Sequence, residues 1–330
     1  MRFTILLLFL GLVAAEITRG INWFGFETDA LVFHMLWCKP LGWHLDRLAE
    51  VGFNAVRVPI SEDFVMQHME GGGLPKEGAV RGDFPEAGVS SVDILDRFFR
   101  GTAERNISVI LDMHRLTYYS QAYKPFVEGD PKYTFERFLD AWTRVLQRYA
   151  KHANLLAVDI FNEYQGSDTE YWFSLAETTI NHIENLFPGR FAFYVEGTNW
   201  GAQLGGAAAR PLRLSEEVMN RTTLSVHKYW FLDADIVEDR EALTHSWDQS
   251  FGYLREQVSV GEWGYMSEDA KQKNWATWFV NYLISNKVRN SFFWSYNFDS
   301  DDTEGVLKGD CDTLDQDKVD LLHHYWNGAA

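Results

Sequence analysis

The sequence predicts a single-domain α/β protein built as a (β/α)8 TIM barrel, and three observations carry that expectation. Eight short β-rich runs alternate with helical patterns from one end of the chain to the other. The 330 residues suit one large domain, and no internal repeat, low-complexity tract or proline-rich linker marks a second. Polar and titratable residues recur at one end only of the apolar runs, the end at which a parallel barrel carries its site. A composition of 46% apolar, 15% aromatic and 23% charged residues is that of a globular chain with a large core.

Taken in order, residues 1–15 carry Arg2, an apolar run from Ile5 to Val13 and the small pair Ala14-Ala15. That is the order of a secretory signal peptide, with an apolar part too short to span a bilayer comfortably. Cleavage is expected after Ala15, leaving 16–330 as the mature domain, secreted and with no membrane partner. An uncleaved anchor is the alternative, disfavoured because Glu16 follows at once and no basic cluster does. The strand candidates are 20–24, 55–58, 108–112, 156–161, 191–195, 223–226, 258–261 and 291–294. Helices are expected over 44–51, 92–105, 134–151, 169–186, 270–285 and 315–324. In the third of these Phe135, Phe138, Leu139, Trp142, Val145, Leu146 and Tyr149 repeat at the spacing of one helix face. Right-handed crossovers would leave every strand parallel. A doubly wound open sheet, the rival architecture, usually has a glycine-rich turn after its first strand, and residues 22–27 do not form one. The longest irregular stretch, 61–91, contains Gly71-Gly72-Gly73 and would be the loop after strand two, on the ligand face.

The net charge of −17 disfavours nucleic acid as a partner, because binding to phosphate backbones is driven by lysine and arginine. The two cysteines, Cys38 and Cys311, follow strands one and eight, which are neighbours in a closed barrel, so a disulfide across the mouth is expected; two free buried thiols are the alternative. Asn106 and Asn220 each begin an N-glycosylation pattern, relevant only in a eukaryotic secretory pathway.

The strand tips hold Arg57 after strand two, His114 after three, Asn162 and Glu163 after four, His227 and Tyr229 after six, Glu262 after seven and Trp294 at eight. A buried unpaired carboxylate is costly, so two of them delivered to exposed tips point to a site rather than to a core. The chemistry these types support is glycosidic bond cleavage by double displacement, with Glu163 as acid/base and Glu262 as nucleophile. An acid with a raised pKa and a nucleophile with a lowered one need different surroundings, and Arg57 and Tyr229 are the natural donors to hold Glu262 ionised. Glu27 and Glu196 also lie at strand ends, and Glu196 is the substitute if one assignment fails. No metal is expected, since the histidines lack close pairing, and no cofactor. His114 and His227 are open between ligand contacts and satisfied core histidines. Most tryptophans, such as Trp142, Trp172, Trp275 and Trp278, fall on helices and belong to the packing. Trp23, Trp37, Trp200 and Trp230 fall on loops, where an indole face could stack on a sugar or simply fill the core.

The segments 55–60, 111–115, 161–163, 225–229, 261–264 and 293–297 resemble, in order, the successive motifs of glycoside hydrolase family 5, and the likeness spans residues 19–307. The opening strand 20–28 and the closing loop 302–307 look most like those of its endo-β-1,4-glucanases. That resemblance implies a cofactor-free retaining enzyme acting on a polysaccharide or oligosaccharide. It also implies Asn162 bonding the sugar 2-hydroxyl, His227 and Tyr229 supporting the glutamates, and Trp294 forming the floor under the sugar. The chain departs from the pattern at Tyr164, where a proline commonly follows the Asn-Glu pair, and at Trp263, where phenylalanine is usual; both alter packing beside the glutamates without removing either. A monomer is expected. An endo-β-mannanase, a mixed-linkage β-glucanase, a transglycosylase and a non-catalytic glucan-binding barrel remain alternatives, because substrate selection lies in loops such as 61–91.

Overall fold

The structure, a computed structural model, describes residues 17–330, so the leader expected over residues 1–15 lies outside the described residues. Eight strands close into a barrel: β1 (Thr18–Asn22), β2 (Ala55–Ser61), β3 (Ser108–Arg115), β4 (Leu155–Asp159), β5 (Ala192–Glu196), β6 (Thr222–Tyr229), β7 (Val258–Gly264) and β8 (Asn290–Phe293). Each pairs in parallel with the next, and β8 returns to β1 from Thr18 opposite Asn290 to Ile21 opposite Phe293. No open sheet edge is left among them.

Around the barrel lie α1 (Leu41–Val51), α2 (Glu62–His68), α3 (Ser91–Glu104), α4 (Phe135–Tyr149), α5 (Thr169–Leu186), α6 (Glu216–Met219), α7 (Arg240–Ser250), α8 (Ala270–Ser285) and α9 (Gln316–Ala329). Their starts are written in the sequence. Ser90, Thr134, Asp168 and Asp269 each precede a helix and accept a backbone N–H of its first turn. The face of α4 that turns inward is the expected one, with Phe138, Ala141, Trp142, Val145, Leu146 and Tyr149 buried.

The stretch 61–91 is less irregular than expected, because α2 occupies its start. At seven residues α2 is too short for an apolar repeat to show. It is held instead by the Ser61 cap and by the carboxylates of Glu62 and Asp63, which pair with Arg137 of α4. The interval between β6 and β7 likewise holds α7 and two 3-10 turns, Trp230–Ile236 and Gly252–Gln257.

Two-residue alternation along the strands builds the barrel interior in layers. At the bottom, Ala55, Ile110, Ala157 and Phe292 form an apolar plug distinct from the main core between strands and helices. Gly20 is required there, since a β-carbon on it would sit 2.3 Å from the Phe292 ring. Two residues further along the same inward faces come Arg57, Asp112 and Asp159, all buried. The plug thus floors a buried ionic layer, and that layer lies directly under the rim. Cys38 and Cys311 pair as expected, with Cα atoms 6.3 Å apart, and tie the loop after β1 to the segment after β8.

Candidate active site

The rim carboxylates stand where the strands end. Beyond Asp159 the chain leaves β4 and reaches Asn162 and Glu163, while Glu262 lies within β7. Glu163 adopts φ of 52°, the left-handed region that side chains with a β-carbon disfavour. That turn lifts its carboxyl into the mouth instead of continuing the strand. One carboxylate oxygen of Glu163, one of Glu262 and a ring nitrogen of His227 all lie within 4.8 Å of one another.

Arg57 organises the layer beneath. Its side chain is 1% exposed and its donors fan out: Nε to Asp159 Oδ2 at 2.9 Å, Nη1 to Asn22 Oδ1 at 3.0 Å and to Glu262 Oε1 at 2.6 Å, and Nη2 to Asn162 Oδ1 at 2.9 Å and to Glu196 Oε1 at 3.0 Å. Asp112 Oδ2 is 3.1 Å away and also meets His114 Nδ1 at 2.6 Å. Such a fan is what a planar guanidinium offers and an ammonium does not. Asn22 is fixed in turn by donating Nδ2 to the carbonyls of Gly261 and Phe293 at 3.1 and 3.2 Å.

Above this layer, Tyr229 donates its hydroxyl to Glu262 Oε2 at 2.7 Å, and Gln121 donates Nε2 to Glu163 Oε2 at 2.8 Å. His227 stands between the two glutamates, Nδ1 at 3.0 Å from Glu163 Oε1 and 3.5 Å from Glu262 Oε2. Its Nε2 approaches Glu196 Oε1 at 3.1 Å, an ion-pair contact without the alignment of a hydrogen bond. Burial alone would lower the His227 pKa, but Glu196, Glu262 and Glu163 outweigh it and hold the ring as an imidazolium. His114 is the opposite case: burial dominates over Glu262 and Glu27 and pulls it down to about 4, so the ring is neutral.

Glu262 does not behave as the sequence suggested. Its burial pushes the carboxyl above the ordinary value of 4.5, His227 and Arg57 pull against that, and Glu163 adds to the rise. Arg57 and Tyr229 contact it as expected, yet desolvation by burial wins.

A cleft of about 370 Å³ opens over the pair, lined by both glutamates, His114, Tyr229, Trp200 and Trp294. Trp294 stacks on His114 and on Phe24, each at 5.4 Å between centroids, and its Nε1 donates to Ser300 Oγ at 3.0 Å, so the indole plane is fixed. Arg115, Gln121, Phe231, Leu232 and Asp302 also line the cleft; Arg115 and Asp302 fall in segments that resemble family motifs, and the other three had no mark in the sequence. Asn162, Arg57 and His227 sit beneath the cleft rather than in its wall.

Three of the loop tryptophans are elsewhere. Trp23 is wholly buried and stacks on Phe33 at 4.2 Å; adjacent to the inward Asn22, it faces outward into the helix layer by the same alternation. Trp37 packs half-buried, edge-on to His34 at 5.5 Å, and Trp230 begins a 3-10 turn with its indole against the core; neither lines the cleft. Trp200, 44% exposed, is the one of the four that does. Asn22, Asp112 and Asp159 complete the site without having been expected in it: Asn22 and Asp112 lie in segments that resemble family motifs, and counting back by twos from His114 finds Asp112.

Among the described residues Glu163, His227 and Glu262 are grouped closely enough to hold a metal ion. The guanidinium of Arg57 already pairs with one Glu262 oxygen and the Tyr229 hydroxyl with the other.

The comparisons with known proteins agree with this geometry. Residues 14–300 match the model of the cellulase family, glycosyl hydrolase family 5. The chain is similar to an endoglucanase of Paenibacillus polymyxa, 28% identical over 92% of this chain and 81% of that one. It is also similar to the major extracellular endoglucanase of Xanthomonas campestris pv. campestris, 29% identical over 94% of this chain and 68% of that one. A solved structure of an endocellulase from Pyrococcus horikoshii, in complex with cellotetraose, superposes with a TM-score of 0.83 at 26% identity, over 94% of this chain and 92% of that one. With the family model matching residues 14–300, through β8, and the acidic rim over its parallel barrel, the chain belongs to glycosyl hydrolase family 5 and is a glycosidase.

Proposed function

We propose that the protein is a secreted, retaining endo-β-1,4-glucanase in which Glu262 is the nucleophile and Glu163 the acid/base. The observation that carries this reading is that one oxygen of each carboxylate comes within 4.8 Å of the other across the cleft, a close approach that favours the shorter of two carboxyl-group spacings. A retaining pair stands roughly 5–5.5 Å apart, whereas an inverting pair, which must admit a water, is roughly 6.5–9.5 Å apart. Relatives named as endoglucanases, and the cellotetraose bound to the Pyrococcus horikoshii enzyme, support a β-glucan substrate. The paired cysteines favour an oxidising compartment, and no helix among the described residues is long and apolar enough to cross a membrane.

In the first step a Glu262 oxygen attacks the anomeric carbon, the bond to the leaving sugar oxygen breaks, and Glu163 gives that oxygen its proton. In the second, Glu163 takes a proton from water, the water oxygen attacks the same carbon, and the ester to Glu262 breaks. Arg57 and Tyr229 hold the two Glu262 oxygens so that the carboxyl plane faces the cleft. The fixed face of Trp294 offers an apolar floor beneath the sugar ring, and Trp200 offers a second platform.

The test of the acid role is the dependence on leaving group. Glu163→Ala should lose at least about 10³-fold in kcat/KM, which reports the first step alone, on cello-oligosaccharides but far less on 2,4-dinitrophenyl β-cellobioside, whose leaving group departs without a proton. Equal losses on both would refute it.

The acid limb of the pH profile tests the nucleophile. Attack needs the carboxylate, and the Glu262 pKa is raised, so kcat/KM should decline as pH falls through an apparent pKa above 4.5. A limb at or below 4.5, measured with the dinitrophenyl substrate, would show that His227 and Arg57 outweigh burial at Glu262.

A further inference from the structure

Glu196 closes β5, is wholly buried beside the site, and takes no part in either chemical step. Its two oxygens have different duties. Oε2 accepts the backbone N–H of Glu163 at 2.6 Å; Oε1 accepts Arg57 Nη2 at 3.0 Å and lies 3.1 Å from His227 Nε2. The N–H it holds belongs to the residue at φ of 52°, so the bond secures a backbone turn that glutamate would not adopt freely. His227, its other neighbour, reaches Glu163 Oε1 at 3.0 Å. One carboxylate therefore holds Glu163 at both ends, the peptide directly and the carboxyl through the imidazolium.

The turn after Glu196 extends this scaffold. Asn199, Trp200 and Gly201 all have positive φ, 53°, 61° and 69°. The N–H of Asn199 donates to the Gly166 carbonyl at 2.9 Å and that of Trp200 to the Tyr164 carbonyl at 3.0 Å, which binds the turn along the segment following Glu163. A β-carbon on Gly201 would lie 2.9 Å from Glu196 Oε2.

We propose that Glu196 is the positioning residue for the acid/base: by accepting the Glu163 N–H and facing His227, it sets the direction from which Glu163 delivers its proton. The inference rests on the acid/base reading of Glu163 given above. Its requirement is for two acceptors. Glutamine, identical in shape, has one, so whichever way the amide turns a donor meets a donor, either the Glu163 N–H or the Arg57 and His227 pair.

The experiment compares cellopentaose with 2,4-dinitrophenyl β-cellobioside in Glu196→Gln, Gly201→Ala and Glu163→Ala. Glu196→Gln should lose about 100-fold in kcat/KM on cellopentaose, the scale of an ångström of misplacement, and only a little in kcat/KM on the dinitrophenyl substrate, since kcat/KM reports the first step alone. Gly201→Ala, which presses on Glu196 Oε2 at 2.9 Å and on His227 Cγ at 3.2 Å, the two groups that hold Glu163, should show the same selectivity in weaker form and covers the case in which the glutamine variant does not fold. Equal loss on both substrates, or no loss, in a folded variant overturns the positioning role. If Glu163→Ala itself shows no selectivity, it is the acid/base reading that fails, and the two failures are thereby told apart.

Discussion

Glu262→Ala should reduce turnover of β-glucan by at least about 10⁴-fold while leaving the fold intact. The loss follows from removing the atom that bonds to the anomeric carbon. Retention of the fold follows from the charges around it: Arg57 keeps Asp159, Glu196 and Asp112 as partners, and His227 keeps Glu163 and Glu196. With azide supplied and an activated aryl cellobioside as substrate, azide should enter the space vacated beside Tyr229 and displace the leaving group from the α face. The product is then the α-glycosyl azide, a single inversion. A variant that still turns over β-glucan at a substantial fraction of the parent rate, or yields only the β-azide, would show that another group does the attacking.

The largest expected effect on stability lies at Arg57. Arg57→Met keeps most of the volume but removes the guanidinium from among Asp112, Asp159, Glu196 and Glu262, and uncompensated buried charges of this kind cost about 3–5 kcal/mol. The pH dependence has a definite sign. Burial lifts Asp112 and Asp159 well above the usual carboxylate range, with Arg57 the main influence opposing it. A carboxyl whose folded-state pKa exceeds its unfolded one contributes stability at low pH that is lost as pH rises through the folded value. Deleting Arg57 raises both further, so the variant should recover part of its deficit between about pH 7 and about pH 5. Urea unfolding at the two pH values measures this. A deficit under about 1 kcal/mol, or one that widens on acidification, would mean that Arg57 is not the counter-charge of the layer.

The barrel was legible because its strands are short β-rich runs bounded by turns and its longer helices carry whole repeats: α5 and α8 coincide with the expected 169–186 and 270–285. Elements without a repeat were not. Besides α2, α7 buries only Leu243, Trp247 and Ser250, too sparse a face to stand out. At the site, the residues lifted onto strand tips were visible because apolar runs end at them. The ionic layer one step lower was hidden, since Asp112 and Asp159 sit inside the runs, and Glu196 stood out only as a strand end. Trp23 misled for the same reason in reverse: it follows a strand in sequence, but parity turns it away from the cleft. The rise in the Glu262 pKa could not be read from its partners, because it depends on how completely the folded chain excludes water.

The central claim is a covalent bond from Glu262 to the sugar. Incubation with 2-deoxy-2-fluoro-β-cellobiosyl fluoride, which forms that bond with loss of fluoride and turns over slowly, followed by proteolysis and mass mapping, reports it directly. One adduct per chain on the peptide that contains Val258–Gly264, absent in Glu262→Ala, is the expected result. An adduct on Glu163 or Glu196, or an active enzyme that takes up no label, would contradict it.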